Sequence, residues 1–119
     1  MNYHLSKGTL VAASDYEGPQ AGFLNGPLSA FGNLDALRAV LNFQPIIPSN
    51  VKKQTKIALE GYSGGALATS WAVQYMQHYA PELISQTVGA AFGGLPVNVA
   101  NVAVKNNGQS NCKFITKML

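Results

Sequence analysis

The chain has 119 residues, of which 47% are hydrophobic and 11% charged, and a formal net charge of +3. That leaves room for one domain at most and is too apolar for a disordered segment. A single cysteine, Cys112, excludes an internal disulfide framework and a cysteine-based metal centre.

Positive charge is scattered over Lys7, Lys52, Lys53, Lys56, Lys105, Lys113 and Lys117. There is no arginine cluster and no interleaving of basic with aromatic residues, so nothing points to nucleic acid. The opening Met1-Asn2-Tyr3-His4-Leu5-Ser6-Lys7 lacks a charged segment followed by a long apolar run, and therefore does not read as a signal peptide. Apolar runs such as Ile57–Leu59 are far too short to span a bilayer. At face value the chain is expected not to be secreted.

Gly8–Ser14 (Gly-Thr-Leu-Val-Ala-Ala-Ser) is a short apolar run that predicts a buried parallel strand ending at Asp15. Strand ends of that kind face the ligand crevice of open α/β sheets, which makes Asp15, Tyr16 and Glu17 candidates to border a site. The competing expectation is that they bond the following loop through Asx-turn chemistry. A loop punctuated by Gly18, Pro19, Gly22, Gly26 and Pro27 follows. Ala30, Leu34, Leu37 and Leu41 then recur at helical spacing, with Ser29 or Asn25 as N-cap and Asp35 and Arg38 as a solvent-facing pair. Pro45 and Pro48 stop that helix.

Ile57-Ala58-Leu59 runs into Glu60-Gly61-Tyr62-Ser63-Gly64-Gly65, and a long helical pattern begins at once. This is G-x-S-x-G with a strand before it and a helix after it, the context in which the pattern marks a nucleophile elbow. The sharp turn holds the Ser63 hydroxyl clear of the sheet. It also sets the Gly64 N–H and the helix N-terminus where negative charge is stabilised. Gly61 and Gly65 are expected to be glycine because a side chain at either would collide with the neighbouring strand or helix. The plainer alternative is a glycine-rich turn that merely needs small residues.

The helix is expected from about Gly64 to Tyr79, with Leu67, Trp71 and Tyr75 on one row and Ala68, Ala72 and Met76 on the next. Trp71 and Tyr75 read as core packing rather than a cofactor-stacking stripe. Ala80-Pro81-Glu82-Leu83 ends the helix, and Ile84–Phe92 predicts another buried strand closing on Gly93-Gly94-Leu95-Pro96. The predicted order is β-α-β-α-β, a parallel sheet with short connections. Val97–Val104 predicts a further helix, and the polar stretch Lys105–Asn111 predicts a loop. No Asn-x-Ser/Thr acceptor occurs.

Gly61-Tyr62-Ser63-Gly64-Gly65-Ala66-Leu67-Ala68-Thr69, Tyr79-Ala80-Pro81-Glu82-Leu83 and Gly93-Gly94-Leu95-Pro96-Val97 together resemble the secretory lipase family of yeasts and other fungi. Ser14-Asp15-Tyr16-Glu17-Gly18-Pro19 and Asp35-Ala36-Leu37-Arg38-Ala39 match in the same order. Five ordered motifs are far more specific than one pentapeptide. The resemblance covers roughly residues 8–104, which gives residues 1–104 as a partial α/β-hydrolase core and 105–119 as a divergent, irregular tail.

The resemblance implies an α/β-hydrolase fold, secretion, and ester hydrolysis of acylglycerols at a lipid–water interface, with no metal or organic cofactor. It implies that Ser63 is the acyl-enzyme nucleophile and Gly64 N–H one oxyanion donor. The second donor is implied to come from upstream of the first strand, and the lid from downstream. The family's acid and base, an Asp and a His, lie beyond the elbow. Here Asp15 and Asp35 both precede Ser63, and His4 lies near the N-terminus. His78 falls about 15 residues, some 22 Å of helix, past Ser63. The triad's acid and base are thus expected to be absent from the chain, as in a fragment that is almost inactive alone. The alternative from another class is a non-catalytic α/β module that binds a protein or lipid through an exposed sheet edge.

Overall fold

A computed structural model describes residues 2–107. In chain order it holds α1 (Asn2–Ser6), α2 (Gly26–Asn42), β1 (Ile57–Tyr62), α3 (Gly64–Tyr79), β2 (Thr87–Gly93) and α4 (Val99–Asn106). Short 3-10 turns at Lys52–Gln54 and Pro81–Gln86 precede β1 and β2.

Helix α2 starts where Asn25 accepts the Leu28 N–H on Oδ1 at 3.1 Å, with a proline in the first turn where its missing donor costs nothing. Ser29, the other candidate cap, lies inside the helix and donates its hydroxyl to the Asn25 carbonyl at 2.8 Å. Strands β1 and β2 are parallel, with Ala58 opposite Gly89 and Tyr62 opposite Gly93, and α3 is the crossover between them. Helix α3 packs on this sheet and α2 packs on α3.

Two expected strands are corrected. The segment after Gly8 carries no ladder, and the described sheet has two strands, β1 and β2, rather than three. A strand exists only with a partner, and here the segment is held by side chains instead: the Ser14 hydroxyl donates to Asn33 Oδ1 on α2. Leu10 stays half exposed. The strand expected over Ile84–Phe92 starts at Thr87, because Pro81 opens a 3-10 turn that runs to Gln86. Leu83 is buried under that turn, and its carbonyl accepts the Thr87 hydroxyl at 2.9 Å. Nor is β2 a buried strand among the described residues: Val88 is 64% and Phe92 45% exposed.

The core is the layer where α2, α3 and β1 meet, with Leu34, Leu41, Ile57, Leu59, Ala72, Met76 and Leu83 buried together. Ile57 and Leu59 face α3, while Ala58 and Glu60 alternate to the uncovered face. Each buried large aliphatic side chain contributes about 1.5–3 kcal/mol. Trp71 and Tyr75 join this packing as expected: Trp71 lies against Gly26, and Tyr75 meets Phe31 edge-on at 5.4 Å. Asp35 and Arg38 pair at 3.0 Å, and Arg38 also reaches Glu82 at 2.7 Å.

Helix α4 begins at Val99, two residues after the expected start, with Asn98 Oδ1 accepting the Asn101 N–H at 2.8 Å. It takes in Lys105 and Asn106, which were expected in the tail. The rest of that tail from residue 108, Cys112 included, lies outside the described residues. No helix among the described residues is long and apolar enough to cross a membrane.

Candidate active site

Strand β1 ends at Tyr62 and α3 begins at Gly64, so the chain turns from strand to helix on one residue, Ser63. That turn brings Gly61 directly against the first turn of α3. A Cβ on Gly61 would run into the Gly65 carbonyl and stand 2.6 Å from Thr69 Oγ1, so glycine is required there. Gly65 is different, and the expectation of a collision is corrected: a Cβ there meets nothing within 4 Å. The close approach is one-sided, because the Gly65 carbonyl is the obstacle while its own missing side chain points into open space.

Ser63 has φ 56° and ψ −116°, a region in which a residue with a side chain is strained by about 1–3 kcal/mol. Its neighbours hold it there. The Ser63 N–H donates to the Gly93 carbonyl at 3.0 Å, and the Ser63 carbonyl accepts from Leu67 N–H at 3.1 Å. A serine at a helix N-cap ordinarily spends its hydroxyl on a first-turn N–H. Ser63 makes no such bond, and the residue is exposed. The turn therefore presents a free hydroxyl beside the N–H groups that open α3, which have no intrahelical acceptors and carry the positive end of the helix dipole.

Of the three residues expected to border a site, Tyr16 is the one the fold carries to this turn. The Ser14–Asn33 hydrogen bond pins the loop to α2, and Gly32 lets the Tyr16 backbone lie flat on the helix, since a Cβ on Gly32 would be 3.1 Å from Tyr16 Cα. The Tyr16 hydroxyl then stands 3.5 Å from where a Gly64 Cβ would be. Partial burial, with Glu17 adding a smaller effect, pushes its pKa above the ordinary tyrosine value. Asp15 is exposed and its carboxylate accepts no hydrogen bond among the described residues. The following loop is closed by backbone bonds, Gly22 N–H to the Glu17 carbonyl and Ala21 N–H to the Gly18 carbonyl, both at 2.9 Å. One sequence signal could have singled out this contact: a glycine in the interior of a helix costs about 1 kcal/mol and needs a packing reason, and Gly32 has one.

Neither histidine is brought to Ser63. His4 Nε2 lies 2.6 Å from Glu60 Oε2, on the sheet face turned away from α3. His78 is on the last turn of α3, at the opposite end from Ser63. A groove of about 500 Å³ lined by Arg38, Leu41, Lys52 and Glu82 also sits at that far end, so it is not a cleft over the serine.

Comparison with known proteins places the chain. A family model described as "Secretory lipase" matches residues 1–119, the tail set apart above included. Lipase 10 of Candida albicans (strain SC5314 / ATCC MYA-2876) is 42% identical over 111 residues, which are 93% of this chain and 23% of that protein. Trichothecene C-3 esterase of Fusarium sporotrichioides is 39% identical over 116 residues, 97% of this chain and 26% of that protein. The crystal structure of Candida antarctica lipase A in its closed state superposes with a TM-score of 0.76 at 42% identity, covering 89% of this chain and 23% of the lipase. The fold is accordingly part of an α/β-hydrolase fold, and the chain spans about a quarter of the length of these relatives.

Proposed function

The chain belongs to the secretory lipase family, and on that premise we propose that it carries the nucleophile of an extracellular carboxylic ester hydrolase acting on acylglycerols. Ser63 is that nucleophile. The observation that carries the reading is the Ser63 backbone, strained at φ 56° on a one-residue strand-to-helix turn, in an exposed residue whose hydroxyl is spent on no cap.

In the proposed reaction Ser63 Oγ adds to the ester carbonyl carbon and its proton passes to a general base. The carbonyl oxygen takes up the negative charge, and the Gly64 N–H donates to it. Expulsion of the alcohol, protonated by the same base, leaves an acyl-serine that water hydrolyses. His4 is engaged with Glu60, and His78 is at the far end of α3. The base and its carboxylate partner are therefore proposed to come from outside these 119 residues. Apolar side chains exposed beside the turn, Tyr62 and Phe92, suit work at a lipid–water interface.

The test is hydrolysis of p-nitrophenyl butyrate and of emulsified tributyrin by the full-length protein that contains this sequence. Ser63→Ala should lower turnover by about a million-fold, and the 119-residue chain alone should be almost inactive. Full activity in the Ser63→Ala protein sinks the proposal. A second reading, a non-catalytic module binding a protein or lipid, is favoured by the exposed strand β2. It requires a full-length protein with no esterase activity that still binds its partner.

A further inference from the structure

The Tyr16 hydroxyl is a partly buried donor with no hydrogen-bond partner among the described residues, and the reaction set out above does not use it. The fold goes to some length to place it. Gly32 removes a side chain so that the Tyr16 backbone can sit on α2, Ser14 fastens the loop to Asn33, and the phenol ends next to Gly64. In G-x-S-x-G the residue after the serine is free to be large. Here it is glycine, and the space beside it, 3.5 Å from a Cβ at Gly64, holds the phenol oxygen.

Resting on the Ser63 reading, we propose that the Tyr16 hydroxyl is a catalytic donor to the ester carbonyl oxygen, acting with the Gly64 N–H as Ser63 Oγ adds to the carbonyl carbon. The phenol keeps its proton throughout; the Ser63 proton goes to the general base, and Tyr16 supplies only a hydrogen bond that strengthens as the oxygen becomes negative. A phenol suits this work because it stays protonated at neutral pH, and its raised pKa extends that range. With its backbone against α2 at Gly32 and its hydroxyl beside Gly64, the phenol is in place before substrate arrives, which is what makes such a donor effective.

The experiment compares wild type, Tyr16→Phe and Ser63→Ala in the full-length protein, with p-nitrophenyl butyrate as substrate and an alkylboronic acid as mimic of the tetrahedral adduct. Tyr16→Phe keeps the ring and its packing, so the thermal midpoint should not move. It should lower kcat by about 10–100-fold with KM changed less than about two-fold, and weaken boronate binding by a similar factor. Replacement of Tyr16 by 3,5-difluorotyrosine, whose phenol is more acidic, should move the alkaline fall in kcat to lower pH, which a packing role would not do. Unchanged kcat in Tyr16→Phe, or an alkaline limb that ignores fluorination, overturns the role of Tyr16. Hydrolysis that survives Ser63→Ala overturns the nucleophile assignment instead, so the two failures are distinguishable.

Discussion

The backbone N–H of Ser63 donates to the carbonyl of Gly93, at 3.0 Å. This one bond ties the turn after β1 to the last residue of β2, so the serine's unfavourable backbone is fixed from the neighbouring strand as well as from α3. Strain persists in a folded protein only where the surroundings over-determine it.

The strain has a measurable consequence. Ser63→Gly replaces a strained residue, φ 56°, with one that tolerates positive φ, at some cost in unfolded-state entropy. We expect a net stabilisation of about 1 kcal/mol, read as a higher urea midpoint, together with loss of esterase activity. Ser63→Ala keeps the strain and should not be stabilised. Equal midpoints for the Gly and Ala variants would remove the case for a strained turn.

The two glycines that flank the serine should part company. Gly61→Ala drives a methyl into the Gly65 backbone and to 2.6 Å from Thr69 Oγ1, and overpacking of this kind costs about 1–3 kcal/mol. Gly65→Ala meets open space, so its stability should stay within about 0.5 kcal/mol of wild type. Denaturant unfolding of the two variants side by side decides it, and equal destabilisation would contradict the geometry.

Arg38 clamps α2 to the turn before β2. It donates to Glu82 at 2.7 Å, to Asp35 at 3.0 Å and to the Tyr79 carbonyl at 2.6 Å, over the face of the Tyr79 ring. Its hydrogen bond holds the Glu82 carboxyl below the usual glutamate range. A lowered folded-state pKa means that the native state resists protonation. The stabilisation is complete above the unfolded glutamate pKa and is lost as pH falls through the lowered value. Wild type should therefore be more stable than Glu82→Gln at pH 7, with the gap closing in strong acid. Because the pair is exposed the gap should be small and should shrink with added salt. A gap that widens on acidification would reverse the sign of this account.

Leu34 is fully buried where α2 meets α3 and the sheet. Leu34→Ala should cost about 2–5 kcal/mol, a large share of the stability of so small a unit. Val104→Ala, on the exposed face of α4, should change stability by less than about 0.5 kcal/mol. Thermal unfolding of the two variants tests whether the core lies where α2, α3 and β1 meet.

Much of the fold was legible because its signals are local. Helix α3 follows from the periodicity of its residues, strand β1 from its short apolar run and the glycines after it, and Asp35–Arg38 from helical spacing. The segment Gly8–Ser14 was misread because an apolar run resembles a strand whether or not a partner lies beside it. Ile84–Gln86 was misread because β-branched and polar residues after Pro81 suit a 3-10 turn as well as a strand start. The His4–Glu60 contact left no trace in the sequence, since the two residues are far apart in the chain.

By itself the sequence determined that a serine would stand between a short strand and a helix, because glycine's freedom at a sharp turn and the passage from a short apolar run to a helical repeat act within a few residues. Only the tertiary structure decided which glycine is indispensable, which of Asp15, Tyr16 and Glu17 reaches the turn, and which strand locks the serine in place. Those outcomes rest on van der Waals contact and hydrogen bonding between distant residues. A Cβ at Gly61 is forbidden by the Gly65 carbonyl, and no spacing within either element encodes that distance.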